Sequence, residues 1–492
     1  MKKNNLLFVV GLLSIAAIMS SCRRGCTNPD ASNFDAKAKR DDGSCLMPCG
    51  GNESPYDTTY VGNQMIITVT DLNQVGTGTV TWCNDAIYIL DGFVFVNSGQ
   101  ELSICPGTII KGKQGNGENA SALIVARGGK IYANGTATNP IVFTGEADPV
   151  DGTMALNATG LWGGLIILGN AELNSSLNET AIEGIPTNEE RGLYGGTDDT
   201  DNSGMLTYVS IRHGGTDIGA SNEINGLTLG GVGSGTTINN IEVIANADDG
   251  IECFGGKANI KYAVISNCID DAFDYDEGYR GNVQFLLATQ SSYTGDNLGE
   301  HDGGTTPETA SPYATPVFYN VTYIGRGSSA DKSLITFRDN AGGEYHNSIF
   351  MNQSKGINIE NLASGEDSYS RYSAGDLKIA DNIFYDLVQS GASAAISDVI
   401  TIAMGSGWPT EADSLNELNN SHSVLVNDFT TNGNSIVDPG VVYSPLNPVP
   451  SNAANVGGAA APTNTWFTTT SYKGAFDPAG FNWANGWTRL FE

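Results

Sequence analysis

Between about Thr236 and Leu287 the chain writes one short pattern on successive lines 22 residues apart. Asn240-Ile241-Glu242-Val243-Ile244 lies over Tyr262-Ala263-Val264-Ile265-Ser266, and Asp248-Asp249-Gly250-Ile251-Glu252 lies over Asp270-Asp271-Ala272-Phe273-Asp274. A third line opens at Asn282, and looser copies occur at 225–228, 319–323 and 345–350. One such copy is too small to bury its apolar face, so copies must stack into a continuous core. The predicted fold is therefore all-β: a right-handed parallel β-helix with a cap at each end, because an open coil end exposes unpaired strand edges.

The 62 glycines among 492 residues suit a coil with several tight corners per rung. A net charge of -30 excludes nucleic acid as a partner, since nothing in such a chain would neutralise phosphates. The same charge is compatible with divalent cations.

Lys2 and Lys3 precede an apolar run from Leu6 to Met19, too short to span a bilayer as a helix. It ends in Met19-Ser20-Ser21-Cys22, which resembles a bacterial lipoprotein signal with Met where Leu is usual. That resemblance implies a signal peptide over 1–21 and a lipid on Cys22. Residues 22–50 then carry Cys26 and Cys45 around Asp30, Asp35 and Asp41. This stretch resembles a Cys-bracketed repeat of Bacteroidota surface proteins. It is too small to own a core, so a Cys26–Cys45 bridge is the natural staple, with Cys49 close enough to compete for the pairing. Its carboxylates are candidate calcium ligands; the competing reading is a solvated acidic turn.

The coil is predicted over 51–441, interrupted by polar excursions near 290–312 and 386–420, with a helix starting at Thr410. An aromatic-rich C-terminal cap follows over 442–492. Cys83 and Cys105 stand one rung apart, which predicts a bridge between stacked strands. Cys253 and Cys268 fall on consecutive rungs and are a second candidate pair, with buried thiols the alternative. Trp162 is read as packing at a corner rather than as a sugar platform.

The wording of Gly160-Leu161-Trp162-Gly163-Gly164, Tyr208-Val209-Ser210-Ile211-Arg212-His213-Gly214-Gly215, Ala247-Asp248-Asp249-Gly250 and Asn482-Trp483-Ala484-Asn485-Gly486-Trp487 resembles a family of exported Bacteroidota lipoproteins with parallel β-helix repeats. The resemblance implies an outer-membrane lipid anchor, with the cell surface favoured over the periplasmic face, and a surface glycan or envelope protein as partner. It carries over no catalytic residue.

Asp248, Asp249, Asp270, Asp271 and Asp274 recur at related places on adjacent rungs, joined by Glu252, Asp276 and Glu277. Stacked carboxylates repel unless a cation, a proton or a base offsets them. Three readings stand: turn-forming residues, a calcium site, or catalytic carboxylates. The Gly-His-Gly and Arg-Ile-Lys segments of β-helical hydrolases are missing, and Arg280 is the nearest basic residue along the chain. The expected function is accordingly a lipid-anchored envelope protein with a structural, adhesive or glycan/protein-binding role and no identified catalysis. The alternative is a calcium-dependent polysaccharide lyase or glycoside hydrolase.

Overall fold

The computed structural model describes residues 23–25, 27, 35–40, 56–175, 177–219, 223–304, 307–388 and 394–492. Cys22, Cys26, Asp30, Asp41, Cys45 and Cys49 lie outside them. Residues 1–48 form one compact unit and 49–492 a second. Within the first, Asp35 is taken up by an ion pair with Arg23 at 2.6 Å and by the Lys37 N–H.

The second unit is a right-handed parallel β-helix. Most of its strands fall into two large sheets, of 18 and 10 strands, with two small two-stranded ribbons besides among the described residues. The ten-stranded sheet stacks Phe93–Val96, Ala122–Val125, Leu165–Leu168, Leu227–Gly230, Ile251–Phe254, Phe273–Asp276, Gly299–Asp302, Ile335–Arg338, Ile357–Asn361 and Ile400–Met404, all parallel. Alternation decides the faces. Val94, Leu123, Leu165, Leu227, Ile251 and Phe273 share one register position and point into the core.

Each rung bends sharply inside its longer strand. Tyr208, Asn240, Tyr262, Phe285 and Asn320 occupy equivalent positions with φ between +50° and +61°. Left-handed backbone at a bulky residue costs about 1–3 kcal/mol. Stacking offsets it: the Tyr262 and Phe285 rings lie 4.8 Å apart, with Trp483 edge-on to Tyr262 at 5.3 Å. The repeat therefore has aromatics or Asn at the bend.

An antiparallel hairpin, Tyr56–Val61 with Gln64–Val69, covers the N-terminal end. The other end is covered by the helix Glu411–Thr431, whose N-cap Thr410 accepts the Asp413 N–H at 3.1 Å. Its Leu425 and Phe429 join the coil's core. The aromatic-rich tail runs along the flank instead. Thr468 bonds Gln284, Ala475 bonds Thr322, and Leu490 bonds Glu242.

Further expectations change. Rung strands lie inside both expected excursions: Gly299–Asp302, hidden by its polarity, within 290–312, and Ile400–Met404 within 386–420. None of the described cysteines forms a disulfide. Cys83 and Cys105 do sit on adjacent rungs, where a hydrogen bond from Cys83 lowers the Cys105 thiol. Cys253 points into the core between Leu229 and Tyr275, whereas Cys268 sits at a corner. Trp162 is fully buried and donates to the Arg212 carbonyl at 2.8 Å.

Candidate metal centre and catalytic cleft

The outward positions of the ten-stranded sheet change character along the coil. Phe95, Ile124 and Ile166 are covered by a segment carrying Leu173, Ile182, Ile185 and Tyr194. The same ladder continues as Thr228, Glu252, Asp274, Glu300 and Thr336. The covering segment ends there, and a cleft of about 430 Å³ opens. Its lining is nine carboxylates and one amide: Glu183, Glu223, Asn225, Asp248, Asp249, Glu252, Asp270, Asp271, Asp274 and Glu300.

Two groups are close enough to share an ion. Single carboxylate oxygens of Asp248, Asp249 and Asp270 lie within 4.8 Å of one another, as do those of Asp249, Glu252 and Asp274. The strand fixes Glu252 and Asp274 one rung apart on the same face. The corner fixes the others: Asp249 Oδ1 accepts the Asp271 N–H at 2.8 Å, and Asp271 Oδ1 accepts the Asn297 N–H. Asn225 Nδ2 donates to Glu252 and, at 3.2 Å, to Glu183.

The electrostatics are unbalanced. Burial, then the charge of Glu183, raises Asp248 to about 7. Burial and mutual repulsion hold Asp249, Glu252, Asp271 and Asp274 well above the ordinary carboxylate range. Arg338 bonds Glu300 at 2.9 Å and Asp302 at 2.7 Å from the next rung. Arg280 is turned elsewhere, onto Asp199.

The donor set fits a hard divalent cation: every candidate ligand is oxygen, with no His or Cys among them. A second observation points the same way. Asp274 Oδ1 and Asn225 Oδ1 are buried with no hydrogen-bond partner, in residues 8% and 1% exposed. Buried acceptors left unsatisfied are costly, so these oxygens call for a cation or a proton.

Of the carboxylates expected from the sequence, Asp248, Asp249, Glu252, Asp270, Asp271 and Asp274 are brought to one cleft, whereas Asp276 and Glu277 do not line it and Glu277 instead accepts the Tyr194 hydroxyl at 2.6 Å. Glu183, Glu223, Asn225 and Glu300 were not anticipated. Glu183 and Glu223 come from outside the 22-residue pattern. Glu300 was findable, because Gly299-Glu300-His301-Asp302 repeats the alternation of Phe273-Asp274-Tyr275-Asp276.

The pectate-lyase like beta helix domain matches residues 74–428, well over half the chain. The chain belongs to that family. A comparison with curated proteins found no match, and neither did one with solved structures. Membership in the pectate-lyase like family, together with acid clusters able to hold a metal, overturns two expectations: that the role is structural or adhesive, and that no catalysis occurs. Both findings point toward a catalytic, metal-assisted role for the cleft.

Proposed function

We propose that this chain is a calcium-dependent enzyme that cleaves an acidic polysaccharide, as a lyase or a glycoside hydrolase, in the carboxylate cleft. The observation that carries the reading is the unpartnered Asp274 Oδ1, buried beside Asp249 and Glu252 in a cleft whose lining, among the described residues, includes no Lys or Arg. Asp249, Glu252 and Asp274 would hold the ion. When bound, calcium neutralises this cluster and gives a sugar carboxylate something to bind on an otherwise repellent surface. Asp248, held at about 7, exchanges a proton near neutral pH, as a general acid or base must. Arg338 is held at the cleft edge by Glu300 and Asp302 and faces the anionic chain from there. The charged N-terminus, the apolar run and Ser20-Ser21-Cys22 support export and lipid anchoring of this enzyme at the outer membrane, with the surface face favoured.

The test is to incubate the full chain with polygalacturonate, alginate and a neutral glucan, in calcium or in EDTA. Unsaturated sugar ends mark a lyase, and reducing ends without unsaturation mark a hydrolase. Calcium-dependent release from an acidic glycan is expected. Absence of both products from every glycan and with every divalent ion tried would sink the reading.

A further inference from the structure

A second pocket lies around the corner from the carboxylate cleft and has the opposite chemistry. Its volume is about 530 Å³. In a chain of net charge -30, its lining contains no carboxylate. Arg326 is its one cationic residue, surrounded by hydroxyls and amides that include Ser266, Thr289, Gln290 and Asn267. Among the described residues no carboxylate pairs with Arg326. Its Nη1 donates to the Gly295 carbonyl, and its Nε is buried with no partner. A guanidinium left without a counter-charge in so acidic a protein is poised for an anion.

The pocket and the cleft share one loop. Gln290 Nε2, in the pocket, donates to the carbonyls of Asp296 and Asn297 at 3.1 and 3.0 Å. The Asn297 N–H in turn donates to Asp271 in the cleft. The carboxylate of Asp296 is drawn onto Lys332, so it does not quench Arg326. Tyr443, 42% exposed, lines the pocket with its hydroxyl on Asp386, and Tyr293, 66% exposed, follows the lining residues Ser291 and Ser292 in the turn closed by Ser291 and Thr294. Exposed rings beside hydroxyl and amide groups form a surface for sugar rings, and the arginine selects an acidic one.

We infer that this pocket binds an anionic sugar unit, a uronate or a sulfate ester, without any metal. The assignment to a sugar rests on the reading of the neighbouring cleft as a glycan-cleaving site; the assignment to an anion rests on Arg326 alone. One unit of a polysaccharide anchored here leaves the adjoining chain to reach the cleft past Tyr293.

Calorimetric titration of the full chain in EDTA tests this, with oligogalacturonate, a sulfated oligosaccharide, a neutral oligoglucoside and inorganic sulfate as probes. Expected is binding of an acidic oligosaccharide in EDTA, weakened at least about tenfold by Arg326→Gln, a loss of about 1.4 kcal/mol. Ser328→Trp, at an exposed lining position, fills the pocket without touching Arg326 and is expected to weaken binding similarly. Equal binding by both variants, or no binding of any acidic oligosaccharide in EDTA, would overturn the site. Sulfate binding as tightly as the oligosaccharides would overturn the sugar assignment. Absence of turnover with Arg326-dependent binding intact would count against the enzyme reading alone.

Discussion

Asp249 Oδ1 accepts the backbone N–H of Asp271 at 2.8 Å, across one full rung of the coil. Asp271 repeats the gesture toward Asn297. Each aspartate therefore brackets the corner above it while its carboxyl group also lines the cleft. Turn formation and ion binding, which the sequence presents as competing explanations of the Asp-Asp pairs, are served by the same side chains. A carboxylate spent on a corner amide is fixed in place, which is what a pre-organised ligand needs.

Replacing Asp274 with Asn should separate stability from ion binding. The substitution removes a buried charge whose Oδ1 has no partner. In EDTA the variant is expected to be at least as stable as the parent. A cation at about 100 times its Kd stabilises the parent by about 2.7 kcal/mol. The variant should lose most of that gain, read as the calcium-induced shift in Tm. An unchanged shift would remove Asp274 from the ion site.

Stability should depend on pH in a definite direction. Asp248 is raised from the ordinary carboxylate range to about 7, and burial and mutual repulsion hold Asp249, Glu252, Asp271 and Asp274 well above that range too. Between roughly pH 4 and the raised values, the folded chain holds protons that the unfolded chain has released. Stability in EDTA therefore falls as pH rises from about 4 through about 7. Millimolar calcium should flatten that fall, because it favours the ionised form. Thermal melts across this range, with and without calcium, check both parts.

Glu242 clasps the tail to the coil. Fully buried, it accepts the N–H groups of Arg489 at 2.8 Å and Leu490 at 2.9 Å, beside the buried guanidinium of Arg212. Glu242→Leu leaves the N–H groups of Arg489 and Leu490 and the Ser210 hydroxyl without their acceptor and should cost about 1–3 kcal/mol. The last residues should become protease-sensitive before the rungs do. Mass spectrometry of timed digests would show it, and a tail as resistant as the parent's would refute the clasp.

The thiols should react in a fixed order. Cys105 is only partly buried and is lowered by its hydrogen bond with Cys83, whereas burial pushes Cys268 up to about 12 and Cys253 higher still. Among the described cysteines, iodoacetamide should label Cys105 first in the native protein. Cys253 and Cys268 should label only on unfolding, since the thiolate is the nucleophile. Peptide mapping after short exposure settles the order.

The stacking was legible because it is a local matter. A strand of a few residues, a bend and an Asp corner recur within 22 residues, so the period shows in the letters. The rung at Gly299–Asp302 is missed when the chain is read at a fixed period, because the loop bearing Tyr293 stretches the spacing; only alignment with Phe273–Asp276 exposes its alternation. The thiols illustrate the same limit: spacing placed Cys83 beside Cys105 but did not decide the bond between them.

The sequence by itself determined the architecture and the five aspartates of the repeated corner, since both follow from short-range alternation and stacking. Only the tertiary structure decided what those aspartates face. Glu183 and Glu223 arrive from segments outside the repeat, and the cleft opens where the segment carrying Ile182 and Ile185 stops covering the sheet. Whether a row of carboxylates is a solvated corner or a cation-demanding site depends on what excludes water from it, and that is set by contacts between residues far apart in the chain.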